Sequence, residues 1–223
     1  MNLKSASVLR TESFDIANPE VFVETVSDDV SIVESSDGKC HIEISAKFES
    51  AKPLVDLVDI SANGNKLSIR AGKRNTGLRG LFNFGTSELL IVIKLPKANL
   101  LKMKTVSADV SVDQIFNTID IASVSGDLLV RHNPTGTCSL KTVSGDIKTQ
   151  VFSACEYVLK SVSGDINVGV APGLEVDVDG KSVSGDLQSE IALSSNGNSG
   201  MEASEIVTIS ATTVSGDFTL ARN

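Results

Sequence analysis

Residues 123–170 read SVSGDLLVRHNPTGTCSLKTVSGDIKTQVFSACEYVLKSVSGDINVGV, and this stretch decides the fold because it contains one five-residue motif three times. The motif is Ser or Thr followed by Val-Ser-Gly-Asp. Seven copies, two of them imperfect, begin at Thr25, Thr105, Ser123, Thr142, Ser161, Ser182 and Thr213. From the second copy onward, the Asp residues that end the motif are 18, 19, 19, 21 and 31 residues apart. Such regular spacing is the signature of a repeat architecture.

A strand pattern lies on each side of the motif. The residue after the motif Asp is apolar in every copy, and in most copies the residue two positions further on is apolar too, as with Leu128 and Val130. Residues 139–142 illustrate the short strand that precedes the motif. Gly-Asp is typical of a bend, because Gly allows positive φ and the Asp side chain can bond the backbone two residues on. Each unit of ~19 residues therefore predicts one coil of a β-solenoid, with coils ~4.8 Å apart.

Stacked coils would align equivalent residues in ladders, and two of these ladders raise a question. The motif Val shares strand parity with Lys104, Lys141, Lys160 and Lys181, which should face water. Either the backbone bends after the Lys and turns Val inward, or the Val row is exposed; we favour the bend, because exposed Val would promote association. Stacked Asp carboxylates need backbone N–H donors or a cation such as Ca²⁺ to offset repulsion. We favour N–H donors, because one carboxylate per coil is too few for a Ca²⁺ cage.

The rest of the chain is also β in character. Residues 1–14 are a tail or first strand, and residues 15–100 predict antiparallel β-hairpins that continue into solenoid repeats over 101–223. Strand patterns include 54–60 and 89–95, and Asn63-Gly64-Asn65 predicts a tight turn. No helical period persists, so helix content should be very low. The predicted fold class is all-β, a single-domain β-solenoid.

Composition limits the partners and the compartment. The net charge of −8 disfavours nucleic acids and anionic membrane surfaces. The apolar runs are strand-length, too short to span a bilayer, and no secretory pattern opens the sequence. The three cysteines, Cys40, Cys138 and Cys155, have no metal-binding spacing and suit a reducing compartment. We therefore expect a cytoplasmic location.

Residue chemistry argues against an enzyme. His41 and His132 have no spacing that makes a metal pair, and the chain has no nucleophile elbow, P-loop or dinucleotide fingerprint. We therefore predict no catalytic, cofactor-binding or metal-binding residues. A carbohydrate-active β-helix enzyme is the less favoured alternative. It would need clustered acids and bases on one coil, whereas Lys141, Asp146, Lys160 and Asp165 are spread over several.

One segment of this acidic chain is basic, apolar and Gly-rich, and it reads RAGKRNTGLRGLFNFG over residues 70–85. One interpretation is a long hairpin tip of no special function. The other is a docking loop that combines cations with Phe anchors. Its candidate partner-docking residues are Arg70, Lys73, Arg74, Arg79, Phe82 and Phe84.

The motif copies, together with the strand that ends at Pro96 before the repeats, resemble the bacterial DUF4097 family, also called the "putative adhesin" or toast-rack domain. The resemblance covers roughly residues 15–223. It implies a single β-solenoid-like domain, often in proteins tied to the cell envelope and stress responses, with no established catalytic residues. The function we expect is therefore a binding or scaffold protein with a protein partner not identified by the sequence. The alternative is a structural protein that associates with itself.

Overall fold

The computed structural model describes residues 7–72, 88–132, 134–191 and 206–222. They form β-strands and one short 3₁₀-helix, Glu49–Leu57. The strands up to the first full repeat are β1 Val8–Phe14, β2 Glu20–Glu24, β3 Asp29–Glu34, β4 Cys40–Ala46, β5 Asp59–Asn63, β6 Lys66–Arg70 and β7 Leu89–Leu95. The repeats contain β8 Ala98–Lys104, β9 Val110–Asp113, β10 Phe116–Ala122, β11 Leu128–Val130, β12 Thr137–Lys141, β13 Ile147–Val151, β14 Glu156–Lys160, β15 Ile166–Val170, β16 Glu175–Ser182, β17 Leu187–Ser189, β18 Ile206–Thr213 and β19 Phe218–Arg222.

The strands form two sheets, which are the two walls of a stack of coils. The first sheet has the order β1-β4-β7-β3-β9-β11-β13-β15-β19-β17, and the second has the order β16-β18-β14-β12-β10-β8-β2-β6-β5. Each coil contributes one strand to each sheet. In spatial order the described coils are coil 1 (β6–β7), coil 2 (β2–β3), coil 3 (β8–β9), coil 4 (β10–β11), coil 5 (β12–β13), coil 6 (β14–β15), coil 7 (β18–β19) and coil 8 (β16–β17).

Neighbouring coils pair in parallel and in register. Ile147 of coil 5, for example, pairs with Ile166 of coil 6, which pairs with Phe218 of coil 7. In-register pairing puts like residues on top of each other, so the alternation of buried and exposed residues in one strand repeats in the next. Val, Ile and Leu fill the space between the sheets, as the scarcity of aromatic residues predicts. The chain is all-β, in agreement with the prediction.

The order of coils differs from the order of the sequence at both ends of the stack. Coils 3 to 6 follow one another along the chain, as predicted. Coil 2, however, precedes coil 1 in the sequence, and coil 8 precedes coil 7. The last repeat of the chain thus lies between coils 6 and 8, which explains the spacing of 31 residues before the final motif.

The segment before residue 101 is only partly hairpin. Strands β5 and β6 form an antiparallel hairpin around Asn63–Asn65, and β4 runs antiparallel to both β1 and β7. The prediction that hairpins alone precede the repeats was wrong, because β2 and β3 pair in parallel with β8 and β9 and form a coil of the stack. Parallel stacking therefore begins at Glu20.

A strand was predicted at 54–60, but the structure has the 3₁₀-helix there up to Leu57. The buried residues of this segment are Ala51 and Val55, whereas Leu57 is 64% exposed, so burial does not alternate as it would in a half-buried strand. Pro53 lacks the N–H that a central strand needs. The 3₁₀-helix packs beside β4 and β1 at the coil 1 end of the stack. Within the described ranges, no helix is long and apolar enough to cross a membrane.

Candidate functional site

The motif copies lie at one corner of the stack, where the chain passes from a strand of the second sheet to a strand of the first. Coils 2 to 8 each present one copy there, so the five motif positions become five rows that run along the stack. Contacts between successive coils account for three of the five residue types. The other two, Val and the Ser after it, face outward.

The Ser or Thr at the first position points inward. It is buried in coils 2 to 7, with an exposed fraction of 0% at Thr213 and 7% at Ser123. In coil 6 the Ser161 hydroxyl donates to the Gly145 carbonyl oxygen of coil 5 at 3.5 Å, and in coil 8 Ser182 donates to Gly216 of coil 7 at 3.2 Å. A small side chain fits this position because it fills the corner; the hydroxyl also bonds the neighbouring coil at Ser161, Thr213 and Ser182, whereas those of Thr105 and Thr142 have no hydrogen-bond partner among the described residues.

Gly at the fourth position is required by the close approach of successive coils. A Cβ built on Gly164 would lie 2.1 Å from the Gly145 carbonyl oxygen, and one on Gly145 would lie 2.3 Å from the Gly126 carbonyl oxygen. Positive φ, the reason predicted from the sequence, applies to Gly126 alone among the motif glycines of the described coils. The prediction of a bend is confirmed, but its main cause is steric contact between coils.

The motif Asp residues form a continuous ladder. In each coil the Asp backbone N–H donates to Oδ1 of the Asp in the preceding coil; Asp146 donates to Asp127 at 3.0 Å, and Asp165 donates to Asp146 at 3.0 Å. The members of this Asp ladder, in spatial order, are Asp29, Asp109, Asp127, Asp146, Asp165, Asp217 and Asp186. These bonds supply the backbone N–H donors that the sequence analysis expected for the carboxylates. The acceptor lies one coil back, however, so the Asp does not bond its own backbone two residues on.

The motif Val faces solvent, so our preference for an inward Val was wrong. The exposed fraction is 49% for Val124, 47% for Val143, 45% for Val162, 43% for Val214 and 80% for Val183. Burial of the preceding Ser or Thr sets the parity, because successive residues of an extended chain point to opposite sides. We call the row of motif Val residues the motif ridge; its members are Val26, Val106, Val124, Val143, Val162, Val214 and Val183.

Lysines lie beside the motif ridge, two residues before the motif Val, in coils 3, 5, 6 and 8, whereas coils 2, 4 and 7 have Glu24, Ala122 and Thr212 at this position. Lys104 of coil 3, Lys141 of coil 5 and Lys160 of coil 6 are exposed and make no ion pair or hydrogen bond with any described residue. Lys141 and Lys160 are register partners in adjacent strands. Together with Lys181 of coil 8, these residues are named the Lys row. Coils 3, 5, 6 and 8 thus present a cation, then Val and Ser, then a carboxylate.

The candidate docking loop begins where the motif ridge ends. Arg70 is the last residue of β6 and is the register partner of Glu24 in coil 2, with 3.4 Å between Nε and Oε2. Gly72 follows at the motif corner with a φ of +82°, and a Cβ built on it would lie 2.9 Å from the Val26 side chain. Lys73, Arg74, Arg79, Phe82 and Phe84 lie outside the described residues. Of the predicted docking residues, Arg70 is thus the one that the structure places, at the coil 1 end of the motif ridge.

Arg70 also lines a shallow groove on the outer face of the second sheet, with a volume of about 340 Å³. Phe22 lies in this groove, and the Lys66 ammonium is 6.0 Å from its ring centroid. Arg70 is already engaged by Glu24 and by Asp59, whose Oδ2 is 3.9 Å away. These ion pairs hold Arg70 against the sheet rather than leaving it free to contact a ligand.

The titratable groups show no clustered chemistry. His41 Nε2 lies 2.9 Å from Asp37, and this bond holds the pKa of Asp37 well below its usual range. His132 is 3.0 Å from Asp113. Burial raises the pKa of the Cys40 thiol to about 11 and also raises that of Cys138. Within the parts of the chain that the structure describes, no three metal-ligating side chains come together.

Sequence reasoning missed the motif ridge as a site, although one signal could have revealed it. The buried Ser or Thr immediately before Val fixes the parity of Val, and the Lys two residues before Val has the same parity. Taking these two observations together would have placed Val outside. We instead favoured an inward Val because an exposed Val row would promote association.

Comparison with known proteins agrees with this architecture. The family model described as Toastrack DUF4097 matches residues 19–168 and, in a second match, 97–221. No curated protein matches the chain.

Solved structures are similar to this chain at low sequence identity, and one with a TM-score above 0.5 shares its fold. A crystal structure of a "putative adhesin" from Bacteroides fragilis is 16% identical with a TM-score of 0.55, and the match covers 96% of each chain. A "putative cell adhesion protein" from Clostridium sporogenes is 11% identical with a TM-score of 0.49, over 96% of this chain and 99% of that one. A "putative lipid binding protein" from Parabacteroides distasonis is 12% identical with a TM-score of 0.39, over 96% of each chain.

Proposed function

The chain belongs to the Toastrack DUF4097 family, and we propose that it is a non-enzymatic binding or scaffold protein whose interaction surface is the motif ridge. The observation that carries this proposal is the exposure of the motif Val. Stacking between coils explains the Ser or Thr, the Gly and the Asp of the motif. It does not explain a β-branched apolar side chain that remains nearly half exposed in coil after coil.

A purely structural reading of the motif ridge is that Val stacks on Val and favours the extended backbone. Such stacking buries part of each side chain, but Thr would satisfy the same backbone preference without exposing apolar surface. Single exposed apolar residues occur elsewhere on the surface, such as Ile115 and Phe152, but a row of apolar side chains at the same position in successive coils is typical of an interaction site. This argument supports a binding role over a purely structural one.

The non-enzymatic part of the proposal is supported by how the carboxylates are used. Asp146 and Asp165 each accept a backbone N–H from the next coil, which fits a structural role better than acid or base catalysis. Lys141 and Lys160 stand in a separate row, one per coil, as the sequence indicated. An assay for cleavage of acidic polysaccharides tests this part; turnover lost in Asp146→Asn would favour the β-helix enzyme instead.

The adhesin-type role, linked to the envelope or to stress responses, is supported by the family resemblance and by the similarity to the "putative adhesin" of Bacteroides fragilis. We place the working compartment of this chain in the cytoplasm, supported by the free thiols of Cys40, Cys138 and Cys155. Fractionation of the host with an antibody to the chain tests the compartment. Recovery from the cell surface, with the thiols still reduced, would favour an adhesin proper.

The binding role is tested by capture on tagged protein from separate envelope and cytosol fractions. The ridge variant is Val143→Thr with Val162→Thr, which keeps the β-branched shape and removes two exposed methyl groups. The matched control is Leu129→Thr with Val158→Thr. Leu129 lies in coil 4 and Val158 lies in coil 6, and both side chains are half-buried on the outer faces of the sheets. We expect bound proteins to be lost with the ridge variant and kept with the control.

Equal recovery with all three baits would show that the motif ridge is not the binding surface. Recovery that falls equally with the ridge variant and the control would indicate a general loss of structure instead. The second candidate function, self-association, is favoured by the same exposed Val row. Self-association is measured separately, as the capture of untagged copies of the chain by the tagged bait.

A further inference from the structure

We propose that the motif ridge pairs with the motif ridge of a second copy of this chain, in a dimer whose two-fold axis runs parallel to the direction in which the coils stack. This inference rests on the proposed role of the motif ridge as an interaction surface and names its partner. It is carried by three features of the motif corner: the exposed Val row, the charges on its two sides, and the symmetry that relates them.

The Val row supplies the apolar contact. In the middle of the stack Val124, Val143 and Val162 are 45–49% exposed, with small Ser side chains beside them. A second flat row of Val could therefore approach closely without meeting bulky neighbours. Burying this surface removes apolar area from water, which is the main favourable term in most protein association.

Charges of opposite sign flank the Val row and have unused bonding capacity. On one side, Lys141 and Lys160 have no partner among the described residues. On the other side, Asp146 and Asp165 use Oδ1 to accept the N–H of the next coil, and no described residue bonds their Oδ2. A carboxylate with a free oxygen can accept a charge-assisted hydrogen bond from a Lys ammonium.

Symmetry decides which charges meet. Rotation about an axis parallel to the stack exchanges the two sides of the Val row, so the Lys row of one copy faces the Asp ladder of the other in coils 3, 5, 6 and 8. Rotation about an axis across the stack, which makes the two copies antiparallel, places Lys against Lys and Asp against Asp instead. Like charges opposite each other are strongly unfavourable at an interface, so the parallel arrangement is selected.

A second copy fits better than an unrelated partner because its period is the same. The coils of both copies repeat at ~4.8 Å, so the Val rows stay in step along the stack and the Lys–Asp match recurs in coils 3, 5, 6 and 8. Each copy uses the same surface, so the contact is isologous and closes as a dimer.

End-to-end association through strand edges is disfavoured by the sequence of those edges. Edge strand β16 carries charges at Asp177, Asp179 and Lys181, and edge strand β17 has only three residues. Charged or very short edge strands are the usual protection against strand addition. Strand addition is thus disfavoured at the coil 8 end, and the side of the stack, at the motif ridge, is the surface that we propose for self-association.

The mass in solution tests whether the dimer exists. Sedimentation velocity of the wild-type chain, up to about 100 µM, should give twice the chain mass of 23.4 kDa. A single monomer species at every concentration would overturn the proposal.

The charge pairing is tested by Lys141→Glu with Lys160→Glu, which places carboxylates opposite the Asp ladder. We expect the dimer dissociation constant to rise by at least about tenfold. The matched control, Lys141→Arg with Lys160→Arg, keeps the charge and should leave the dissociation constant nearly unchanged. Circular dichroism confirms that both variants keep their strands. A charge-reversed variant that dimerises as well as wild type would contradict the Lys–Asp pairing.

The direction of the two copies is tested by cysteine cross-linking. Val106→Cys, Val143→Cys and Val214→Cys are made one at a time in a Cys155→Ser background, in which Cys40 and Cys138 are buried. With the axis parallel to the stack, every coil faces its own counterpart, so all three variants should form disulfide dimers on mild oxidation. Cross-linking at one position alone would indicate antiparallel copies, and a dimer without any cross-link would indicate another surface; either result overturns the proposal.

Failure of this inference is distinguishable from failure of the proposed function. If the chain is a monomer but the ridge variant still loses captured host proteins, the motif ridge is an interaction surface with a different partner. If the chain is a monomer and the ridge variant captures the same proteins as wild type, both proposals are wrong.

Discussion

Coils 6 and 8 carry the same motif, Ser-Val-Ser-Gly-Asp, yet the fold buries them to very different extents. Val162 of coil 6 is 45% exposed, whereas Val183 of coil 8 is 80% exposed. The difference extends into the strand that follows. Ile166 is completely buried, whereas Leu187, at the equivalent position, is 53% exposed.

The cause is position in the stack rather than sequence. Coil 6 lies between coils 5 and 7, whereas coil 8 pairs with coil 7 and no strand of the described residues lies beyond it. A residue between two coils is covered from both sides, while a residue in a terminal coil is covered from one. The motif thus sets the shape of a coil, and burial comes from its neighbours, as expected for a repeat protein with nearest-neighbour interactions.

The other end of the stack has a different solution. Coil 1 is followed by β4 and β1 on the first sheet, by β5 on the second sheet and by the 3₁₀-helix, all outside the repeat pattern. These elements keep Leu67 and Ile91 of coil 1 fully buried. The coil 1 end is thus covered by elements whose sequence differs from the repeat. Coil 8 carries the standard motif and has no such elements among the described residues.

The largest expected effect comes from truncating the equivalent core residues of the two coils. Ile166→Ala should lower the free energy of unfolding by about 3 kcal/mol, because it leaves a cavity between coils 5 and 7. Leu187→Ala should lower it by less than about 1 kcal/mol, because half of the side chain is already in water. Urea denaturation followed by circular dichroism measures both. Equal losses would mean that coil 8 is as tightly packed as coil 6.

The second comparison uses the motif glycines. In both coils an added Cβ would lie 2.1 Å from a carbonyl oxygen of the preceding coil. Gly164→Ala should destabilise by about 2–3 kcal/mol, because coil 6 is held on both sides and has no room to move. Gly185→Ala should cost about 1 kcal/mol, because coil 8 can shift outward. Thermal unfolding of the two variants measures the difference, and a Gly185→Ala loss as large as that of Gly164→Ala would show that coil 8 is fixed in place.

The repeat pattern made most of the architecture predictable. The motif, its spacing and the alternation after each Asp were enough to predict stacked coils, parallel strands over coils 3 to 6 and a ladder of Asp residues capped by backbone N–H groups. These features depend on contacts between equivalent residues of successive coils, and a repeating sequence indicates which residues are equivalent.

The ends of the stack and the orientation of Val were not predictable in the same way. The last repeat could stack beyond coil 8 or between coils 6 and 8, and the motifs of these coils do not distinguish the two positions. For Val, the association that an exposed row would promote favoured an inward side chain, whereas the contacts of Ser161 and Gly164 with coil 5 turn the Val162 side chain outward. In both cases tertiary contacts overrode a general rule.

A smaller effect is expected along the Asp ladder. Asp146→Ala removes the acceptor of the Asp165 N–H and should cost about 1 kcal/mol, the usual net contribution of one hydrogen bond. Asp186→Ala should change stability by less than about 0.5 kcal/mol, because no described N–H donates to the carboxylate of this last ladder member. Hydrogen exchange of the Asp165 amide should accelerate in Asp146→Ala and be restored in Asp146→Asn, which keeps an acceptor oxygen. Unchanged exchange would show that the ladder bond is not formed in solution.

The smallest effect concerns the capped end and its dependence on pH. His41 Nε2, the Lys39 N–H and the Ser35 hydroxyl bond the Asp37 carboxylate and hold its pKa well below the usual value. The unfolded chain therefore binds a proton on Asp37 at a higher pH than the folded chain does, so the stabilisation is present above about pH 4 and is lost as the pH falls toward the folded pKa. Wild type should be slightly more stable than Asp37→Asn at neutral pH, and this difference should shrink steadily in acid. Urea midpoints of the two proteins at several pH values measure this stability difference. A difference independent of pH would show that the charge of Asp37 does not stabilise the capped end. The contrast between the capped end and coil 8 would then rest on packing alone.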